Sequence, residues 1–315
     1  MRTLVGQVST LFIGGVGRSG TTILELSLGT DPRVVSLGEV VHLWERCLIE
    51  DERCGCGRPF SRCPFWTEVG RRAFGGWAAV DADRVLELQR RHDRTVRTPQ
   101  LALGAGGRRW RAELDEYTSY YVRLYAAAAE VAQAQVVVDS SKQASLPHIL
   151  RRDPRVDLKV LHCVRDSRAV AYSWSKKVRR PEARDDERAE MTKYPPAVLA
   201  MTWVRHNLVV DLLRLLRVPL MRMRYEEWVT GPDTALNRVL TFVGLSPRDS
   251  DQVGTTWVDI PTVHTCSGNP IRFRTGRVQV RIDEEWRHRL TSRSRWLVTA
   301  LTGPLLVSYG YRRKA

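Results

Sequence analysis

The strongest constraint on the fold lies near the start of the chain. There the apolar run Leu11-Phe12-Ile13-Gly14 passes directly into Gly15-Val16-Gly17-Arg18-Ser19-Gly20-Thr21-Thr22, and then into the helical stretch Ile23-Leu24-Glu25-Leu26-Ser27-Leu28. A strand, a glycine-rich turn and a helix start, in that order, make an anion cradle. The glycines let the backbone curl, the first helical N–H groups point inward, and the helix dipole favours negative charge. Gly15 and Gly20 keep the spacing of a Walker A loop, but Thr21 stands where that loop carries its lysine. The cation that reaches β- and γ-phosphates is thus missing, and another, Arg18, lies within the turn. Ordinary ATP or GTP hydrolysis is disfavoured.

Three further runs read as buried parallel strands: Val136 to Asp139, Leu158 to Val164 and Pro219 to Tyr225. Each is followed by a helix-like pattern, so the expected class is α/β, a P-loop-like parallel sheet flanked by helices. The helices are clearest over Glu113 to Gln135, with its Ala126 to Ala129 run, and over Ala197 to Arg217, which ends before Pro219. Because the strands are spread from residue 11 to 225, one domain over 1–315 is expected rather than two. It would carry a Cys-containing helical and loop insertion at about 45–112. The charged stretch at about 178–194 reads as an exposed, mobile loop.

At 43% hydrophobic and 27% charged, disorder along the whole length is ruled out. No run approaches the roughly 18 to 20 apolar residues needed to cross a bilayer. The N-terminus lacks a cationic region followed by an apolar one, so a cytoplasmic location is expected. The formal charge of +15 favours anionic partners. However, 44 of the 50 basic residues are arginine, as a GC-rich genome would produce. They are also interleaved with acids, as in Arg184-Asp185-Asp186-Glu187-Arg188. Nucleic acid is therefore not the expected partner.

Gly17-Arg18-Ser19-Gly20-Thr21-Thr22 resembles the 5′-phosphosulfate loop of sulfotransferases that use 3′-phosphoadenosine 5′-phosphosulfate (PAPS). Arg18 in place of lysine is closer to the tyrosylprotein and carbohydrate branch, and to bacterial enzymes, than to the cytosolic branch. The second half of such a nucleotide site follows the strand Leu158 to Val164. The family places an arginine at the strand end and a serine eight residues later, both on the 3′-phosphate; Arg165 and Ser173 match. A guanidinium fork and a helix hydroxyl can converge on one phosphate. Arg224-Tyr225-Glu226-Glu227-Trp228 resembles the segment whose tyrosine lies near the adenine. Ser267-Gly268-Asn269-Pro270-Ile271-Arg272-Phe273 resembles the loop that closes over the nucleotide, so Gly268, Asn269 and Arg272 join the expected donor contacts. The likeness runs through 11–40 and 136–175, is looser at 218–245 and 264–290, and is absent at 45–112.

The resemblance implies transfer of a sulfuryl group to a hydroxyl or amine of a small molecule or glycan. Such a transfer resembles phosphoryl transfer and needs donors for the transferred oxygens plus a base for the acceptor. Arg18 would face the leaving phosphate, and Lys142, in Asp139-Ser140-Ser141-Lys142, is the second cation. Glu39, in Ser36-Leu37-Gly38-Glu39, is the expected base. His42, three residues on and able to share its helical face, is the alternative. No catalytic metal is expected. An atypical P-loop kinase, and a nucleotide- or nucleic-acid-binding protein without activity, are the competing readings. The acceptor site would draw on the insertion, where Trp66, Trp77, Trp110 and Tyr120, together with Trp174, are available to line a pocket or to pack in the core. Cys47, Cys54, Cys56 and Cys63 could hold a structural zinc, form a disulfide or stay free; they lack paired C-x-x-C spacing.

Overall fold

A computed structural model describes residues 6–176, 194–248 and 256–312. Apart from Tyr194, the charged stretch expected at 178–194 lies outside the described residues.

Five strands, β1 (Val8–Gly14), β2 (Val34–Ser36), β3 (Val136–Asp139), β4 (Val156–Val164) and β5 (Leu220–Arg224), form one sheet in the order β2-β3-β1-β4-β5. Every pair is parallel, with Phe12 facing Asp139 on one side and Val160 on the other. The central β1 and β3 are buried on both faces, which is why they read as near-continuous apolar runs, whereas the edge strand β5, Leu220-Met221-Arg222-Met223-Arg224, is half-buried. Phe12, Val137 and Val160 face one core. Leu11, Ile13, Val138 and Leu161 face the second.

Helix α1 (Thr21–Leu28) follows β1 and leads to β2. The insertion then supplies α2 (Pro64–Phe74), α3 (Ala82–His92) and α4 (Thr98–Leu103) before the long α5 (Arg108–Ala132) returns the chain to β3. Trp44, Trp66, Val69, Val85, Leu88 and Leu101 from this region lie in the same core as Phe12 and Val137. Helix α6 (Leu146–Leu150) joins β3 to β4, and α7 (Ser167–Ser175) and α8 (Pro196–Leu215) lie between β4 and β5. Beyond β5 come α9 (Tyr225–Thr230) and α10 (Pro232–Val243). A hairpin of β6 (Trp257–Ile260) with β7 (Gly276–Gln279) precedes α11 (Trp286–Arg289) and α12 (Ser292–Ser308).

All four strands expected from the sequence are present. Tyr225, expected as strand, instead opens α9, and α5 starts five residues before Glu113. The short β2 and the hairpin were not anticipated. After β1 the chain moves to one side of it and, after β3, to the other. The carboxyl ends of strands that diverge in this way frame a ligand crevice.

Candidate active site

The loop after β1 is held by close packing. Gly15 sits at φ 143°, and a Cβ there would meet the Cys163 carbonyl at 2.3 Å. Gly20, at φ 75°, presses on the Tyr225 ring, which a Cβ would approach at 2.6 Å. Arg18 and Lys142 also take left-handed backbone, at φ 75° and 58°. That conformation costs an L-residue on the order of 1 kcal/mol, and strain of this kind gathers at functional sites. Thr21 and Thr22 begin α1, Thr21 buried and Thr22 partly so.

One pole of the site is built from the ends of β4 and β5. Arg165 is buried, donates from Nη1 to the Arg18 carbonyl at 2.9 Å, and lies over the Tyr225 ring at 4.3 Å. Its second terminal nitrogen is 3.4 Å from the Asp283 carboxylate. Trp174 Nε1 donates to the Gly17 carbonyl at 3.2 Å, and the Arg18 guanidinium sits 5.4 Å from the Trp174 ring centre. Ser173, on the same helix end, is half-buried. Ser19 Oγ and Arg165 Nε belong to the buried donors, among the described residues, that have no hydrogen-bond partner. These two stand together at the glycine-rich loop. Such a pair beside a helix N-terminus suits an anion.

The second pole follows β2 and β3. Lys142 Nζ donates to Glu39 Oε1 at 2.7 Å and to the Ser140 carbonyl at 2.9 Å. His42 Nε2 is 3.6 Å from Glu39 Oε2. Burial pushes the Glu39 pKa up, but Lys142, His42 and Arg46 outweigh it and hold the carboxyl below its ordinary range. The group is therefore a carboxylate at neutral pH. Burial and Arg165 pull the Arg18 pKa down, while the Glu39 charge pulls it back up, so the two poles sense one another electrostatically.

Backbone contacts fix Glu39. Its N–H donates to the Cys266 carbonyl at 3.0 Å, and the Cys266 N–H donates to the Leu37 carbonyl at 2.8 Å. Gly268 packs on the Glu39 side chain, where a Cβ would lie 3.4 Å from Oε1. The loop expected to cover the nucleotide therefore meets Glu39. Within it, Asn269 accepts from the Ile271 N–H and caps a short turn. Arg272 is buried against the Thr265 carbonyl and the Phe273 ring.

Two contributors escaped the sequence reading. Glu25, fully buried on α1, accepts from the Gly38 N–H at 2.6 Å and from Ser140 Oγ at 2.5 Å. It thereby ties α1, the helix after the glycine-rich loop, to the backbone before Glu39 and Lys142. Burial, only partly offset by these bonds, raises its pKa to about 7. Its signal was a lone acid in the apolar run Ile23 to Leu28. His206 on α8 hydrogen-bonds the Gly15 backbone, and burial draws its pKa down to about 3, so it is neutral.

Of the aromatics offered for an acceptor pocket, Trp66 is wholly buried in the core, and Trp77, Trp110 and Tyr120 pack against that core. Trp174 is the one of the five that stands on the glycine-rich loop. Cys47 leaves its sequence neighbours and hydrogen-bonds Cys266.

The sequence model of the Sulfotransferase family matches residues 10–249, a span that includes the loop, Glu39, Lys142, Arg165 and Tyr225. No curated protein matches the chain. Among solved structures, the sulfotransferase domain from the Synechococcus PCC 7002 olefin synthase is similar at 19% identity and TM-score 0.53, with 98% of this chain and 96% of that one covered. The sulfotransferase domain from the curacin biosynthetic pathway is similar at 17% identity and TM-score 0.48, covering 98% and 99%. The sulfotransferase from Alicyclobacillus acidocaldarius is similar at 15% identity and TM-score 0.42, covering 96% of each chain. The first of these shares the α/β fold.

Proposed function

The chain belongs to the sulfotransferase family, and from that premise we propose that it moves a sulfuryl group from PAPS to a hydroxyl or amine of a small molecule or glycan. The observation that carries this reading is the meeting of a carboxylate and two cations at one sheet edge. Glu39 and Lys142 are 2.7 Å apart, and Arg18 senses the Glu39 charge. The buried, unpartnered Ser19 Oγ and Arg165 Nε fit a donor that carries phosphates at two positions. That donor supplies the sulfuryl group and a phosphate leaving group.

The protein's share is positioning, charge and one proton. Gly17 to Thr22 present backbone N–H groups and hydroxyls to the 5′ end, as a helix N-terminus does for any phosphate. Arg165 and Ser173 take the 3′-phosphate, and Tyr225 flanks the base. Glu39 accepts the acceptor's proton as its oxygen or nitrogen bonds to sulfur. Arg18 and Lys142 balance the charge that grows on the departing phosphate oxygen, where fixed cations are most effective. His42, beside Glu39, helps keep it ionised. The acceptor approaches from the Glu39 side, near the insertion.

Thermal unfolding with 3′-phosphoadenosine 5′-phosphate, against Mg·ATP and buffer, tests the donor half. Ligand at about 100 times its Kd adds roughly 2.7 kcal/mol of stability, a rise of several degrees. A shift with Mg·ATP alone would instead support a kinase. Arg165→Ala removes a charge-assisted bond of about 1.5–3 kcal/mol, so affinity for the bisphosphate should fall by about 10- to 100-fold in titration calorimetry. Unchanged affinity would refute the assignment.

A further inference from the structure

Outside the reaction site, Cys54, Cys56, Cys63 and His264 bring their donor atoms within 4.8 Å of one another. Sγ of Cys63 lies 3.6 Å from that of Cys54 and 3.8 Å from that of Cys56. His264 Nδ1 lies 3.7 Å from Cys54 Sγ and 3.2 Å from Cys63 Sγ. A sulfur–sulfur bond would be about 2.05 Å, so these are separate thiols. Zinc bonds of about 2.3 Å to sulfur and 2.0–2.1 Å to nitrogen, set tetrahedrally, place sulfurs about 3.8 Å apart and sulfur and nitrogen about 3.6 Å apart. The observed separations follow that pattern.

We propose that these four side chains form a closed, structural zinc site. Three thiolates and an imidazole at tetrahedral spacing select zinc over the oxygen-seeking cations. Four protein ligands leave no position for a substrate.

The surroundings are prepared for metal. Cys54 opens a tight turn: its N–H donates to the Arg58 carbonyl at 2.8 Å, and the Gly57 N–H returns to the Cys54 carbonyl at 2.8 Å. Gly57 closes that turn at φ 86°, where a side chain would strain the backbone. The Cys56 N–H donates to the Cys54 sulfur and the Trp66 N–H to the Cys63 sulfur. Such outer donors orient ligands and steady their charge. The Phe65 ring stacks on His264 at 5.1 Å with an interplanar angle of 13°, fixing the imidazole plane. Cys56 and Gly57 also border a cavity of about 380 Å³, which gives an ion a way in. The ligand set joins chain segments about 200 residues apart. Next to it, the Gly55 N–H donates to the Thr265 carbonyl at 2.9 Å, one residue before the Cys266 that pairs with Gly38 and Glu39. The ion would therefore brace the strap behind Glu39, a consequence that rests on the proposed role of that residue.

Metal analysis of the purified chain after exhaustive dialysis should give about one zinc per chain. Replacement by cobalt should produce tetrahedral visible bands with thiolate-to-metal charge transfer, a reading on the unaltered protein that no folding defect can mimic. Cys56→Ser and His264→Asn should each lose the metal and lower the Tm, whereas Cys47→Ser should keep the full zinc content. A chain that binds neither metal while all six thiols titrate, or one in which Cys54, Cys56 or Cys63 is tied in a disulfide, overturns the proposal. None of these readings depends on sulfuryl transfer, so failure of the site and failure of the enzymatic reading are separable.

Discussion

Glu39 can accept a proton only while ionised, and its neighbours secure that state. Its folded pKa lies below the usual carboxylate value despite burial, because Lys142, His42 and Arg46 outweigh desolvation. A depressed carboxylate pKa contributes stability that is present above the unfolded value and lost as pH falls. The acid limb of kcat/KM should accordingly sit at low pH. Glu39→Gln should lower kcat by about 10²- to 10⁴-fold, the usual contribution of a positioned base, with little change in affinity for the bisphosphate nucleotide. Lys142→Met leaves burial less opposed, so the acid limb of its residual activity should move to higher pH. If that limb stays fixed while the rate falls, Lys142 serves charge balance without setting the state of Glu39.

At the scale of elements, the insertion and the glycine-rich loop use tryptophan differently. Trp66 is fully buried among Phe60, Phe65 and Trp77, with ring centres 5.2 and 5.1 Å from its two phenylalanine neighbours. Trp66→Ala should cost about 3–5 kcal/mol and lower the Tm on the order of 10 °C. Trp174→Ala should weaken nucleotide binding with a much smaller change in Tm, because its indole braces Gly17 and lies under Arg18. This contrast also marks what the sequence could convey. The central parallel strands announced themselves because burial on both faces favours apolar residues there, and the loop because its glycines meet steric limits at Gly15 and Gly20. Arg165 and Lys142 were legible because each follows a strand end. Glu25 was not: its partners Gly38 and Ser140 are distant in sequence, and an acid in a helix has many ordinary explanations. The three-residue β2 gave too short a pattern to see. The cysteine grouping was open in the sequence because its partners are distant in the chain: Cys47 lies with Cys266, and His264 joins Cys54, Cys56 and Cys63 from beyond β6.

For the whole molecule, buried carboxyls and desolvated histidines pull the response to pH in opposite directions. Burial raises Glu25 and Asp93 to about 7 and Asp139 to about 6, each partly offset by hydrogen bonds. A raised carboxyl pKa contributes stability that is complete below the unfolded value and lost as pH rises through the folded one. The carboxyls' contribution to stability should therefore decline between about pH 4.5 and 7, against the opposite trend of His148 and His206, whose pKa values burial lowers to about 4 and 3, so that they favour the fold as pH rises. In Glu25→Gln that decline should shrink by on the order of 3 kcal/mol, because each tenfold change in proton affinity on folding is worth about 1.4 kcal/mol. Urea midpoints of both proteins across this range check it, and parallel curves would show that Glu25 does not titrate there.

The central place of β1 has a consequence for how the protein is made. Its two neighbours in the sheet, β3 and β4, end at Asp139 and Val164. A ribosome adding about 5–20 residues per second therefore releases Leu11, Phe12 and Ile13 roughly 8 to 30 s before the last partner strand emerges. Until β3 emerges both edges of an apolar strand stand open to neighbouring chains, and until β4 emerges one edge still does, so slower, cooler expression or added chaperones should raise the soluble yield.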